Sequence, residues 1–326
     1  SVHPDQDSLN FVAPSAKYDL KNYIITAEGV KFIRVADATI YTGDGEIVVE
    51  KKAVMRPLPN AEIIANTTSR YHKIKESTVN IQGRKSYTAY GDYDYKDKAG
   101  RIQTIHFNKV AVDETGQTYA NATVNDADQF SLSPNFAFQG DVELYANQKD
   151  LTFDGGVKIK HDCSQIAKRW LEFRSVIDPD DIFIPVDSTP MGLNGSELAA
   201  GLMIYRDSAY AAMYSPKERH TDKTLFAADG FLIYDEMDQS YKVSNRDALE
   251  ESSLPGKLLR FGRVDCIING QGRFNFSEEF GRFKPNPIGT FRYNLADDTT
   301  RMNLVMLMDF HFSTKALKIF AEDINK

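Results

Sequence analysis

The chain has 326 residues, with 39 Lys and Arg against 46 Asp and Glu, for a formal charge of -7. A net acidic chain lacks the electrostatic term that drives binding to phosphate backbones, so nucleic acid is not an expected partner. No run of about 18 apolar residues is present to cross a membrane as a helix. The 11% aromatic content is almost wholly 20 Phe and 16 Tyr, residues that suit pleated, half-buried surfaces.

Taken in chain order, Tyr18 to Glu50 reads as strands joined by short turns. Tyr23 and Ile25 alternate with polar neighbours, Gly29 interrupts, Phe32 to Ile40 resumes, and Gly43-Asp44-Gly45 turns the chain before Ile47 to Val49. Pro57 and Pro59 are expected to bracket a loop, because proline cannot donate into a ladder. Strand patterning returns at Val79 to Tyr87, Ile102 to Val112 and Tyr119 to Val124. The stretch from Cys163 to Pro190 breaks the regularity, and Ser164 to Phe173, with the only tryptophan, suits one short helix or an apolar strand. Pro185 and Pro190 frame an expected connection, giving domains 1–190 and 191–326 of similar build. Beyond it, Gly201 to Tyr205 and Ala209 to Tyr214 read as strands, and Ala228 to Glu236 with Tyr241 to Val243 as a hairpin. Ile268, Gly270, Gly272, Phe274 and Phe276 alternate, and Met302 to Phe312 is long enough for a central strand. Ser313 to Ile324 suits a closing helix, with Leu317, Phe320 and Ile324 at helical spacing and Ser313 as N-cap.

One template recurs within these strands, apolar residues at every second position with a glycine among them. It appears as Phe138-Gly140-Val142-Leu144, as Phe153-Gly155-Val157-Ile159 and as Ala228-Gly230-Leu232-Tyr234. Period-two alternation places one set of side chains on one face of a sheet. A glycine inside a strand marks a bulge, a bend or a close backbone approach, here expected between layers. The expected class is therefore all-β, with tandem open jelly-roll or solenoid-like domains and one or two short helices.

Residues suited to chemistry are scattered. No two of His3, His72, His106, His161, His220 and His311 share the spacing of a local metal site, so neither metal nor cofactor is expected. His161, Asp162 and Cys163 are adjacent, and adjacent strand residues point to opposite faces. Cys163 and Cys266 suit one disulfide or two buried thiols. Asp178, Asp180 and Asp181 lack the glycine and distal glutamate of a calcium loop and read as a solvated turn. No Gly-x-Ser-x-Gly elbow or phosphate-binding loop occurs, and Gly270 and Gly272 sit in a strand context, so an enzyme is not expected. Tyr87, Tyr90, Tyr93 and Tyr95, with Asp92 and Asp94, offer a stacking surface for a glycan or partner, or simply cross-strand pairs.

AKYDLKNYIITAEGVKFI, ADATIYTGDGEIVVEKKAVM and LTFDGGVKI resemble the OstA-like repeats of the lipopolysaccharide-transport jelly-roll proteins, through Tyr18, Asp19, Ala27, Gly29 and Val30 and then Leu151, Phe153, Gly155, Val157 and Ile159. The chain also resembles a segment of long exported repeat proteins of Bacteroidota envelopes. Ser8, Ser188, Ser208 and Thr299 lie in Asp-Ser/Thr triplets that match the O-glycosylation signal of such bacteria. The resemblance implies an exported protein of the periplasm or outer-membrane surface, and a start at Ser1 without an initiating Met leads us to expect a longer parent. It implies a scaffold or lipid-handling role, with Phe138, Val142, Leu144, Phe153, Val157 and Ile159 lining a lipid trough or a plain core. Other envelope proteins would pair with exposed β edges, and lipid or glycan would be the small ligand. A carbohydrate-binding or carbohydrate-active module is the alternative.

Overall fold

The computed structural model describes residues 8–251, 256–276, 283–310 and 313–324. His3, His311 and the end of the Met302 to Phe312 run lie outside the described residues. The strands run β1 (Ser15–Asp19), β2 (Ile24–Glu28), β3 (Phe32–Val35), β4 (Ala38–Tyr41), β5 (Glu46–Val49), β6 (Leu58–Ala65), β7 (His72–Gly83) and β8 (Ser86–Lys96). They continue as β9 (Ile102–Val112), β10 (Thr118–Val124), β11 (Ser131–Ser133), β12 (Phe136–Tyr145), β13 (Leu151–Ile159) and β14 (Leu171–Ile177). After these come β15 (Ile184–Val186), β16 (Ala199–Tyr205), β17 (Ser208–Ser215), β18 (Lys223–Ala227), β19 (Gly230–Asp235) and β20 (Ser240–Ser244). The short helix α1 (Arg246–Glu250) precedes β21 (Leu258–Gly262), β22 (Ile267–Arg273), β23 (Phe283–Asn294) and β24 (Thr299–Phe310), and α2 (Thr314–Ile324) follows. The protein is all-β, in open antiparallel sheets with two short α-helices. No helix among the described residues is long and apolar enough to cross a membrane.

Strands β1, β2 and β5 form a small sheet, and a large one runs in the order β14-β13-β12-β10-β9-β8-β7-β6-β4-β3, with β11 on β12. A seven-stranded sheet follows the order β15-β19-β20-β21-β22-β23-β24, beside a three-stranded β17-β16-β18. Most neighbours are also neighbours in sequence, as expected where short turns join antiparallel strands. Several stretches differ in detail from the sequence reading. Phe32 to Ile40 is two strands, broken where Ala36 takes a left-handed φ of 51°. Val79 to Tyr87 spans the tight turn between β7 and β8. Pro59 lies inside β6, tolerated because the register against β7 slips between Leu58 and Ala61. Ser164 to Trp170 is turn and loop, and Leu171 opens β14.

The chain forms two compact units, one of residues 1–155 and 174–182, the other of residues 156–173 and 183–326. This division differs from a single boundary near residue 190, for identifiable reasons. Residues 156–173 are held in the second unit by the Cys163–Cys266 disulfide, by Tyr241, whose hydroxyl donates to the Lys160 carbonyl at 2.7 Å, and by a bridge from Leu171 to Gly192. Residues 174–182 are held in the first by Arg174, which pairs with Asp154 and, at 2.8 Å, with Glu143, and by Lys149 at 3.6 Å from Asp178. The first unit's core includes the rings of Tyr95, Phe130, Phe138 and Phe153, with centroids 5.0 to 6.2 Å apart. The second unit's core includes Phe226, Phe274 and Phe291, at 5.5 to 6.1 Å.

Candidate interaction surfaces

The six template residues face inward. Phe138, Val142, Leu144 and Phe153 in the first unit and Val157 and Ile159 in the second are at most 5% exposed. Phe138 and Phe153 meet edge to face at 5.0 Å, and Phe130 stacks on Phe153. At these two positions the interior is filled by aromatic side chains in the geometry that ring quadrupoles favour. The template glycines serve close approach, between neighbouring strands of one sheet and not between layers. A Cβ on Gly140 (φ 140°) would stand 2.4 Å from the Asp154 carbonyl oxygen and 2.6 Å from Gly155 Cα. One on Gly230 would stand 2.3 Å from the Ser244 carbonyl oxygen.

The four tyrosines of β8 do not form one surface. Tyr87 and Tyr95 are 1% and 3% exposed, whereas Tyr90 is 49% exposed. Tyr87 donates to Thr118 Oγ1 at 2.8 Å, and Thr118 in turn donates to Asp37 at 2.5 Å. Tyr95 donates to the Leu132 carbonyl at 3.0 Å, and half-buried Tyr93 stands edge-on to Phe107. Burial raises the pKa of all three, that of Tyr93 to about 12, so they act here as neutral core residues with satisfied polar tips. Tyr90 alone of the four presents itself to solvent, beside His106, whose Nδ1 lies 2.6 Å from Asp92. Asp94 is paired with Lys75 at 2.9 Å.

Histidines and cysteines take structural positions. His72 is fully buried; its Nε2 lies 2.7 Å from the Gln148 carbonyl and its Nδ1 3.3 Å from the Tyr93 hydroxyl. A carbonyl only accepts, so Nε2 carries the proton and Nδ1 receives the tyrosine hydroxyl. Burial lowers the pKa of His72, and likewise that of His161, whose ring meets Phe261 edge-on at 5.3 Å. Cys163 and Cys266 are joined by a disulfide across 103 residues. Among the described residues no three His, Cys, Asp or Glu side chains cluster to hold a metal ion. Asp178 forms a turn, accepting the Asp180 N–H at 2.9 Å.

Sheet edges are the feature that sequence reading placed wrongly. The run from Met302 was expected in a central strand, but among the described residues β24 ends its sheet and pairs along its length only with β23. Periodicity reports which face a side chain takes, whereas a strand's rank in a sheet depends on distant partners. Met302, Val305 and Met306 are 40%, 69% and 44% exposed, and Ile288 opposite Val305 is 41% exposed. Successive strand residues alternate faces, so apolar side chains reach solvent on both sides of this hairpin. Helix α2 begins as expected, with Ser313 Oγ accepting the Ala316 N–H at 3.3 Å, and it carries exposed Leu317, Phe320 and Ile324. Fold and surfaces together define an all-β module with open, partly apolar sheet edges. The chain matches no protein-family model, no curated protein and no solved structure.

Proposed function

We propose that the chain is an OstA-like scaffold or lipid-handling module of the cell envelope, which works by adding its open sheet edges to neighbouring chains. The observation that carries this reading is β24, a twelve-residue edge strand with apolar side chains exposed on both faces. Such an edge presents unpaired backbone groups and is a template for strand addition. The Cys163–Cys266 disulfide supports an exported location, because such bonds persist in oxidising compartments. In this reading Phe138 and Phe153, whose rings pack on each other, serve the core and lipid is met elsewhere.

A photo-crosslinking residue at position 305, introduced in the native host, tests the edge directly. Adducts to a protein chain are expected there and not from position 237, where Met237 is 95% exposed in a hairpin turn. No adduct at position 305 would count against edge pairing. Native mass spectrometry of the purified chain reads lipid separately, as mass above that of the polypeptide. The carbohydrate reading rests on Tyr90 beside His106 and Asp92, and it predicts that Tyr90→Ala abolishes glycan retention while Tyr93→Ala acts only through stability.

A further inference from the structure

A cleft of about 480 Å³ opens in the first unit between residues 10–14 and β3, the last strand of the large sheet. Its volume falls in the range of small-molecule sites, about 300–1,000 Å³. Both walls are fixed by the fold. On one side Ile33 and Val35 are buried, so strand alternation turns Phe32 and Arg34 outward, and pairing with β4 sets Phe32 opposite Tyr41. On the other side Leu9 is buried, and Pro14 packs so closely on Gly29 that a Cβ there would stand 3.1 Å from Pro14 Cγ. Gly29 has a left-handed φ of 75°, which glycine adopts without strain.

The lining is apolar and cationic. Phe11, Val12, Pro14 and Phe32 supply the apolar surface, and Lys31 and Arg34 the charge, with no carboxylate among the described lining residues. The Arg34 guanidinium lies 5.5 Å from the centre of the Phe32 ring. Several strand cations here meet an acid, as Lys17 meets Glu28, Lys73 Glu62 and Lys75 Asp94. Lys31 and Arg34 have no such partner among the described residues, in a chain of net charge -7.

We infer that this cleft binds a small organic anion with a flat apolar body, its ring against Phe11 and Phe32 and its acidic head drawn to Lys31 and Arg34. A guanidinium beside a phenyl ring joins a cation to an apolar face, which suits an aromatic acid better than a flexible chain or a neutral ring. The inference is independent of edge pairing at β24.

Calorimetric titration of the whole chain with naphthoate tests it, with naphthylmethanol and decanoate as comparators. The expected result is saturable binding of one naphthoate per chain, weakened on raising salt, with naphthylmethanol at least about tenfold weaker. The Lys31→Gln/Arg34→Gln double variant is expected to lose about tenfold or more in affinity, and Val12→Glu, which sets a carboxylate at the cleft mouth, to abolish binding. All three positions are exposed, so thermal unfolding should stay as in the parent and report that the variants fold. The inference is overturned by an absence of saturable binding or by equal affinity for the alcohol. It is equally overturned by decanoate binding the tighter, or by either variant binding like the parent.

Discussion

Gly140 and Gly155 show how much a single missing side chain permits. Their backbones pass so close that a Cβ on either would overlap the other's strand, and Gly140 also has a φ that L residues rarely adopt. Gly140→Ala should therefore cost about 2–4 kcal/mol, read as a lowered denaturant midpoint for the first unit; a cost under about 1 kcal/mol would mean the strands separate freely. The glycine spacing was legible in the sequence because the template repeats, although the partner strand was not. His72 was illegible as a core residue, since its acceptor Gln148 lies 76 positions away. His72 and His161 both have lowered pKa values in the folded state, so below a pH of about 6.5 the unfolded chain takes up protons that the folded chain resists. Stability is expected to be unaffected by these groups above that pH and to fall as pH drops through it. His72→Gln should flatten part of the slope between about pH 7.5 and 5.5, and an unchanged slope would remove His72 as a contributor.

At the scale of elements, the disulfide ties the segment before β14 to the turn between β21 and β22. Closing a loop of about 100 residues stabilises by about 4.7 kcal/mol in the chain-entropy view. Cys163→Ser/Cys266→Ser should lower the second unit's stability by about 3–5 kcal/mol, measured by denaturant unfolding, and a loss below about 1 kcal/mol would show that packing alone holds the segment. Strand content was legible throughout β9, β10, β16 and β17, where alternation and turn residues agree. Direction was not. Tyr93 and Tyr95 share one face of β8 as their spacing requires, and Tyr87 joins them because the alternation holds along the strand, yet only tertiary packing decides that this face is the core. The same gap explains β24, whose apolar residues suit burial, although Met302, Val305 and Met306 stand exposed on the faces of the sheet.

For the whole molecule, two units with separate cores predict two unfolding transitions. Reductant should move one of them, that of the unit holding Cys163 and Cys266, and leave the other in place; a single transition that moves as a whole would mean that the units unfold together. The fold class was legible because alternation, Phe and Tyr content and turn residues all point the same way. The division into units was not, because it is made by contacts such as Tyr241 to Lys160 and Arg174 to Glu143, which carry no local mark.

That division also has a consequence in time. A chain made from its N-terminal end presents residues 156–173 before the first unit has received residues 174–182, and well before Tyr241 and Cys266, which hold them, are made. The thiol of Cys163 must then wait while the next 103 residues are made. Within these 326 residues Cys266 is the one cysteine with which Cys163 can pair. A thiol left open for that interval can meet the thiols of other molecules, so crowding of nascent chains should lower the yield of correctly oxidised protein.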